Sequence, residues 1–277
     1  MMNNETLAFI GGGNMAASLI GGLIADGHDP GQGLVSDPDA QKLTALRNRY
    51  GVRIADNNPD ALRHGNVTVL CVKPQLAQGV CRELALAAQE RKPLMISVMA
   101  GIRERSLQAW LGGGIALVRA MPNTPALIQS GATGLHASPE VSPEQRDQAE
   151  SILRAVGLTC WVDAEPLMDV VTALSGSGPA YCFLIMEAME QAAAEMGLDP
   201  PSARLLTIQT VLGAARMAIE SDEPPATLRE RVTSPGGTTE RALTTLTEGG
   251  LQDLIGRALL AARDRSVELS ELLAGDQ

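Results

Sequence analysis

Aromatic side chains are nearly missing from this chain of 277 residues, which has two phenylalanines, two tyrosines and two tryptophans. Since 45% of its residues are apolar, its cores must be aliphatic, built from Leu, Ala, Val, Ile and Met. Basic residues are outnumbered too, and the formal charge is -10. So acidic a chain offers no basic surface to draw in phosphates, which argues against a nucleic-acid partner or an anionic membrane. The four cysteines, Cys71, Cys81, Cys160 and Cys182, have neither CxxC nor metal-ligand spacing, so no metal site is expected. All but Cys81 lie in apolar runs, where a thiol is expected to pack as a small hydrophobe, and a reducing cytoplasm fits best. No basic segment followed by an apolar run opens the chain. No apolar stretch approaches the roughly 20 residues that cross a bilayer, so no membrane partner is expected.

What is present is an alternation. Leu7–Ile10, Leu34–Ser36, Val67–Val72, Leu94–Val98, Ile115–Met121, Ala132–Ala137 and Leu158–Val162 read as strands. Between them lie helical stretches at 14–25, 38–50, 75–89 and 143–156. Continuous apolar strands separated by helices predict an α/β fold, a mostly parallel sheet covered on both faces. After Val162 only helical periods follow, at 179–196, 201–220, 238–247 and 251–273. The reading is therefore two domains, 1–163 and 164–277, the second all-α. Its apolar content predicts burial against a second subunit, with a self-contained bundle as the alternative.

Gly11, Gly13 and Ala16 form G-x-G-x-x-A between a strand and a helix start. In a Rossmann-type sheet the first glycine makes the tight turn and the second lets backbone N–H groups approach a pyrophosphate. The small third residue allows close helix–strand packing. The helix start adds the positive end of a dipole. These residues predict a nicotinamide dinucleotide site. Ser36-Asp37, at the end of the next strand, is where the adenosine ribose is read: Asp37 favours the free 2′-hydroxyl of NAD, and Ser36 can donate to the 2′-phosphate of NADP. Asp37-Pro38 also reads as a plain helix-start turn. Cys71-Val72-Lys73-Pro74 and Met99-Ala100-Gly101 follow later strands, and loops at carboxyl ends line the crevice in such sheets.

The helical half contains neither histidine nor lysine: His28, His64, His136, Lys42, Lys73 and Lys92 all precede it. Hydride transfer to a ketone leaves an alkoxide that such a group protonates, whereas a protonated C=N bond is already electrophilic. The composition thus tilts toward an imine. Two glycine-rich segments, 175–179 and 233–240, interrupt the helical pattern. The second brings Thr233, Ser234, Thr238 and Thr239 to one helix start with Gly236 and Gly237, more than a cap needs, and suits a carboxylate.

At these segments the chain resembles the pyrroline-5-carboxylate reductases. The resemblance runs almost end to end, through Ile10–Met15, Val72–Pro74, Met121–Pro125, Leu174–Tyr181 and, most specifically, Val232–Leu243. It implies a Rossmann domain followed by an α-helical dimerisation domain, and homo-oligomers built from dimers. It also implies hydride transfer from NADPH or NADH to 1-pyrroline-5-carboxylate, giving L-proline. By this resemblance Ile10, Gly11, Gly12, Gly13, Asn14, Met15, Ser36, Asn58, Cys71, Val72, Lys73, Pro74, Met99, Ala100 and Gly101 hold the cofactor. Glu165, Gly237, Thr238 and Thr239 hold the substrate, with Thr239 nearest the imine nitrogen. Asp37-Pro38 departs from the basic residue some relatives carry beside the 2′-phosphate, and Arg231 replaces an amide. The competing readings are another imine or β-hydroxyacid reductase, the latter disfavoured by the missing helical-domain lysine, and a non-catalytic dinucleotide-binding protein.

Overall fold

The computed structural model describes residues 5–274; the outermost residues of the two expected domains, 1–4 and 275–277, lie outside them. The apolar runs form strands β1 (Leu7–Ile10), β2 (Gly33–Ser36), β4 (Val67–Leu70) and β5 (Leu94–Ser97), each buried along its length. Around them stand α1 (Asn14–Ala25), α2 (Ala40–Tyr50) and α4 (Ala77–Arg91). The short β3 (Arg53–Ile54) and α3 (Asn58–His64) escape sequence reading because two and seven residues are too few to show a period. Asn57 caps α3, its side chain accepting from the Asp60 N–H. Helix α5 (Glu104–Leu111) lies outside the helical stretches expected from the sequence; β6 (Leu117–Met121), β7 (Gly131–Ala137), α6 (Pro143–Arg154) and β8 (Gly157–Trp161) follow.

Among the described residues eight strands join one sheet, in the order β3-β2-β1-β4-β5-β6-β7-β8. Every pairing is parallel except β6 with β7, where Arg119 stands opposite His136. The expected mostly parallel sheet is what forms. The chain order reverses between β1 and β4, the kind of switch point where such sheets bind ligands. Register fixes what meets there: Ile10 is paired with both Ser36 and Leu70, so the residues after β1, β2 and β4 emerge side by side.

Contacts divide the chain into two compact units, one running to Ser177 and resuming at Ala262, the other spanning Gly178–Ala261. Past the sheet come α7 (Leu167–Val171), α8 (Gly178–Glu195), α9 (Pro200–Glu220), α10 (Pro225–Arg231), α11 (Thr238–Glu248) and α12 (Leu251–Ala274). The stretch 175–179, expected to interrupt the helical pattern, does not. Residues Thr172–Gly176 form a π-helical turn in which the Ser177 N–H reaches the Thr172 carbonyl at 2.8 Å. Such single π-turns occur inside α-helices without ending them. The result is one helix from Leu167 to Glu195, 29 residues, long and apolar enough by length and composition to cross a bilayer. Reading residues 175–179 as a break had hidden that length.

The cysteines also depart from expectation. Cys81 is buried, on the α4 stripe Ala77, Cys81, Leu84 and Ala88, and Cys71 is half-buried against the core. Cys160 and Cys182 are exposed. Strand β8 is the sheet edge and turns alternate residues outward, and α8 has no buried residue within the single chain.

Candidate active site

The glycines after β1 take the geometry the motif demands. Gly11 has φ +100, its N–H donates to the Ser36 carbonyl at 2.7 Å, and a Cβ there would lie 2.8 Å from the Cys71 carbonyl oxygen. Only glycine fits. Gly13 is the N-cap of α1, which has no side-chain cap and no acidic residue in its first turn. A Cβ on Gly13 would meet nothing within 4 Å, so the space over this bare helix start is open. Ala16 is fully buried beneath it.

A cleft of about 650 Å³ opens beside these residues, within the range of ligand sites. Of the expected cofactor residues, Gly11, Gly13, Ser36, Asn58, Cys71, Val72 and Lys73 line it. Ile10 and Met99 are core side chains, at 0% and 3% exposure. Gly12 serves through its N–H, which donates to Asp37 Oδ2 at 2.8 Å. Asn14 and Met15 belong to the first turn of α1; Pro74 opens a short 3-10 turn, and Ala100 and Gly101 make the turn after β5, Gly101 at φ +74. None of these last residues lines the cleft.

At the far end Ser36 Oγ donates to Asn58 Oδ1 at 2.9 Å, and Asn58 Nδ2 donates to Glu83 Oε2 at 2.9 Å. Asp37 makes the turn that the Asp37-Pro38 pair suggested. Its Oδ1 accepts from the Asp39 N–H at 2.8 Å while Oδ2 holds Gly12. Lys42 stands 3.7 Å from Asp37. Sequence reading missed Lys42, Asp56, Leu76 and Glu83 as lining residues, because they enter from α2, α4 and loops with no motif of their own. Cys71 is inert in this setting: burial pushes its thiol up to about 12.

Glu165 sits in a dense ionic group. Its Oε1 accepts from buried Arg119 Nη1 at 2.6 Å and from the Glu104 N–H at the start of α5 at 2.5 Å. Asp169 on α7 pairs with Arg103 at 2.8 Å and accepts from Ser266 of α12 at 2.8 Å. Burial, then the neighbouring Glu165, raises the Glu104 carboxyl above its ordinary range. Burial also lowers Arg119, against the pull of Glu165. Asn123, in the segment after β6, donates to the Ser175 carbonyl of the π-turn at 3.0 Å and accepts from the Ala132 N–H at 2.9 Å.

In the other unit, Gly237 is the N-cap of α11, again with no side-chain cap. Gly236, at φ +70, donates its N–H to Glu240 Oε2 at 2.8 Å, and the Gly237 N–H closes a turn onto the Ser234 carbonyl at 3.0 Å. Gly237 therefore shapes the loop with its N–H already engaged, leaving those of Thr238 and Thr239 at a helix start that has no N-cap side chain and carries the Glu240 carboxylate in its first turn.

Residues 165–269 match the family model described as pyrroline-5-carboxylate reductase dimerisation, and residues 6–101 match NADP oxidoreductase, coenzyme F420-dependent. A pyrroline-5-carboxylate reductase of Pseudomonas aeruginosa is 48% identical over 98% of this chain and 99% of its own length. The chain belongs to the pyrroline-5-carboxylate reductase family. The Pasteurella multocida member is 44% identical over 98% of this chain and all of its own. Among solved reductases, that of Coxiella burnetii superposes with TM-score 0.94 at 47% identity, over 96% of this chain and 99% of that one. The Plasmodium falciparum pyrroline carboxylate reductase, solved with NADP bound, gives 0.84 at 27% identity, over 98% of this chain and all of that one. As a pyrroline-5-carboxylate reductase family member the chain is an oxidoreductase that uses NAD(P).

Proposed function

We propose that this chain reduces the C=N bond of 1-pyrroline-5-carboxylate to give L-proline in the cytoplasm, and that it works as a dimer or a multiple of dimers. The observation that carries the reading is the uncapped, threonine-bearing start of α11, in a chain alike to named pyrroline-5-carboxylate reductases over 98% of its length. When bound, the reduced dinucleotide supplies the hydride taken up by the imine carbon. The bare start of α1, with Gly13 leaving room above it, fits a pyrophosphate, and Lys73 and Asn58 border the same cleft. Cofactor binding is assigned to Ile10 to Met15, Ser36, Asn58, Cys71 to Pro74 and Met99 to Gly101, of which Gly11, Gly13, Ser36, Asn58, Cys71, Val72 and Lys73 form the walls of the cleft and the others support them.

On the substrate side, the N–H groups of Thr238 and Thr239 hold the carboxylate in the field of the helix start. Gly237 gives the loop its shape. The Thr239 hydroxyl bonds the ring nitrogen and steers its proton. Glu165 adds a carboxylate whose Oε1 is fixed by Arg119. Residues 1–163 form the dinucleotide-binding domain and 164–277 the substrate-binding and dimerisation domain. Support for pairing comes from the apolar surface of the helical part: Phe183, Leu184, Leu205 and Ile219 are 63%, 65%, 70% and 83% exposed.

The test is oxidation of NADPH and NADH with 1-pyrroline-5-carboxylate, beside a ketoacid control, with sedimentation equilibrium on the same sample. Turnover of the imine and not of the ketoacid, by a dimer or higher assembly, is expected. Turnover of the ketoacid alone overturns the substrate, and a lone monomer overturns the assembly.

A further inference from the structure

We infer that Lys42 is the residue that admits the 2′-phosphate, and so sets the choice between phosphorylated and unphosphorylated dinucleotide. This rests on reading the cleft beside Ser36 as the adenosine end of the cofactor site.

Three observations lead to it. The first is that Asp37 is largely committed to the loop. Its two oxygens are engaged by the N–H groups of Gly12 and Asp39, each at 2.8 Å, and its side chain is only 8% exposed. A carboxylate that selects the unphosphorylated cofactor must offer its oxygens to the ribose hydroxyl. This one has been turned inward to build the loop.

The second is the position of Lys42. It comes from the first turn of α2, lines the cleft with Ser36, Asp37 and Pro38, and its side chain is 49% exposed. Its ammonium lies 3.7 Å from Asp37 and 3.8 Å from Asp39. The Asp39 carboxylate also caps α2, accepting from the N–H groups of Gln41 and Lys42. Lys42 thus leans over two carboxylates that are already hydrogen-bonded, with room to turn toward a ligand.

The third is the charge of the remaining rim. Asp56 and Glu83 line the cleft too, and the other lining cation, Lys73, follows β4. Without Lys42, a phosphate beside Ser36 would face Asp37, Asp56 and Glu83 with no cation from α2 to meet it. Like charges brought together in a cleft are strongly unfavourable. One ammonium therefore decides whether a dianion is tolerated there. A ribose hydroxyl carries no charge and is indifferent to it.

The test uses the full chain and two fragments that differ only by the phosphate in question: adenosine 2′,5′-bisphosphate and adenosine 5′-monophosphate, titrated calorimetrically. Wild type should bind the bisphosphate more tightly. Lys42→Met should weaken the bisphosphate about 10- to 100-fold, the range for losing a charged hydrogen bond, and leave the monophosphate within about twofold. Lys42→Arg should retain most of the preference, and the NADPH-to-NADH ratio of kcat/KM should fall in Lys42→Met by a similar factor. Equal weakening of both fragments by Lys42→Met means the lysine only supports the loop, and the inference fails. It fails also if wild type shows no preference. Failure of wild type to bind either fragment removes the adenosine assignment itself, a result distinct from the other two.

Discussion

The guanidinium of Arg119, in the middle of β6, meets the carboxylate of Glu165 at 2.6 Å, joining the sheet to the segment that leads into α7. Arg119 is 6% exposed, so the pair is buried on the arginine side. Breaking such a pair from one side strands the other charge, at a cost of about 3 kcal/mol. Arg119→Met is expected to lower stability to denaturant by about that much. Loss of less than about 1 kcal/mol would show that water or Arg103 takes over the role.

The same group of charges predicts a pH dependence. Glu104 has its carboxyl raised from the ordinary 4.5, first by burial and next by Glu165. A carboxyl raised on folding binds its proton more tightly in the folded chain. Its contribution to stability is whole below the ordinary value and is lost as pH rises through the raised one. Glu104→Gln removes that loss. Thermal melts between about pH 4 and pH 7 should show the variant gaining on wild type as pH rises. A gap that stays constant or closes would sink the assignment.

Gly13 separates binding from folding. A Cβ there meets no protein atom and the backbone φ is -77, which any residue adopts. Gly13→Val is therefore expected to keep its melting temperature within a few degrees while losing most NADPH affinity, since the side chain enters the pyrophosphate space. Fluorescence titration measures the second and calorimetry the first. Undiminished affinity would mean that the phosphates lie elsewhere.

Thr239 tests the chemistry. Thr239→Val keeps the volume and deletes the hydroxyl. A positioned proton-transfer group contributes roughly 10²–10⁴-fold, so kcat/KM should fall in that range with NADPH affinity preserved. Unchanged kcat/KM leaves this helix start without a catalytic hydroxyl.

The strands and long helices were readable because their periods are long enough to count, and the glycine motif because its backbone geometry admits no other residue at Gly11. Other features were not readable, for physical reasons. In sequence Asp37 suits a ribose ligand or a turn alike, and the positions of the Gly12 and Asp39 N–H groups show that it makes the turn. Lys42 and Glu83 carry no local signal, since their relevance comes from α2 and α4 packing beside β1 and β4. The π-turn at 172–176 reads as a break because serine and glycine are poor helix formers. It persists through contacts remote in sequence, among them the Asn123 bond to Ser175 and the Met121 side chain against Gly176.

The turn after β1 has a consequence for oxidation. Gly11 packs on the Cys71 carbonyl, which draws that cysteine into the wall of the cleft, and burial leaves its thiol near 12. At neutral pH almost none of it is then thiolate, the nucleophile that attacks peroxides and disulfides. Cys81, also near 12, is protected in the same way. Oxidative modification should therefore begin at exposed Cys160, leaving Cys71 and Cys81 reduced.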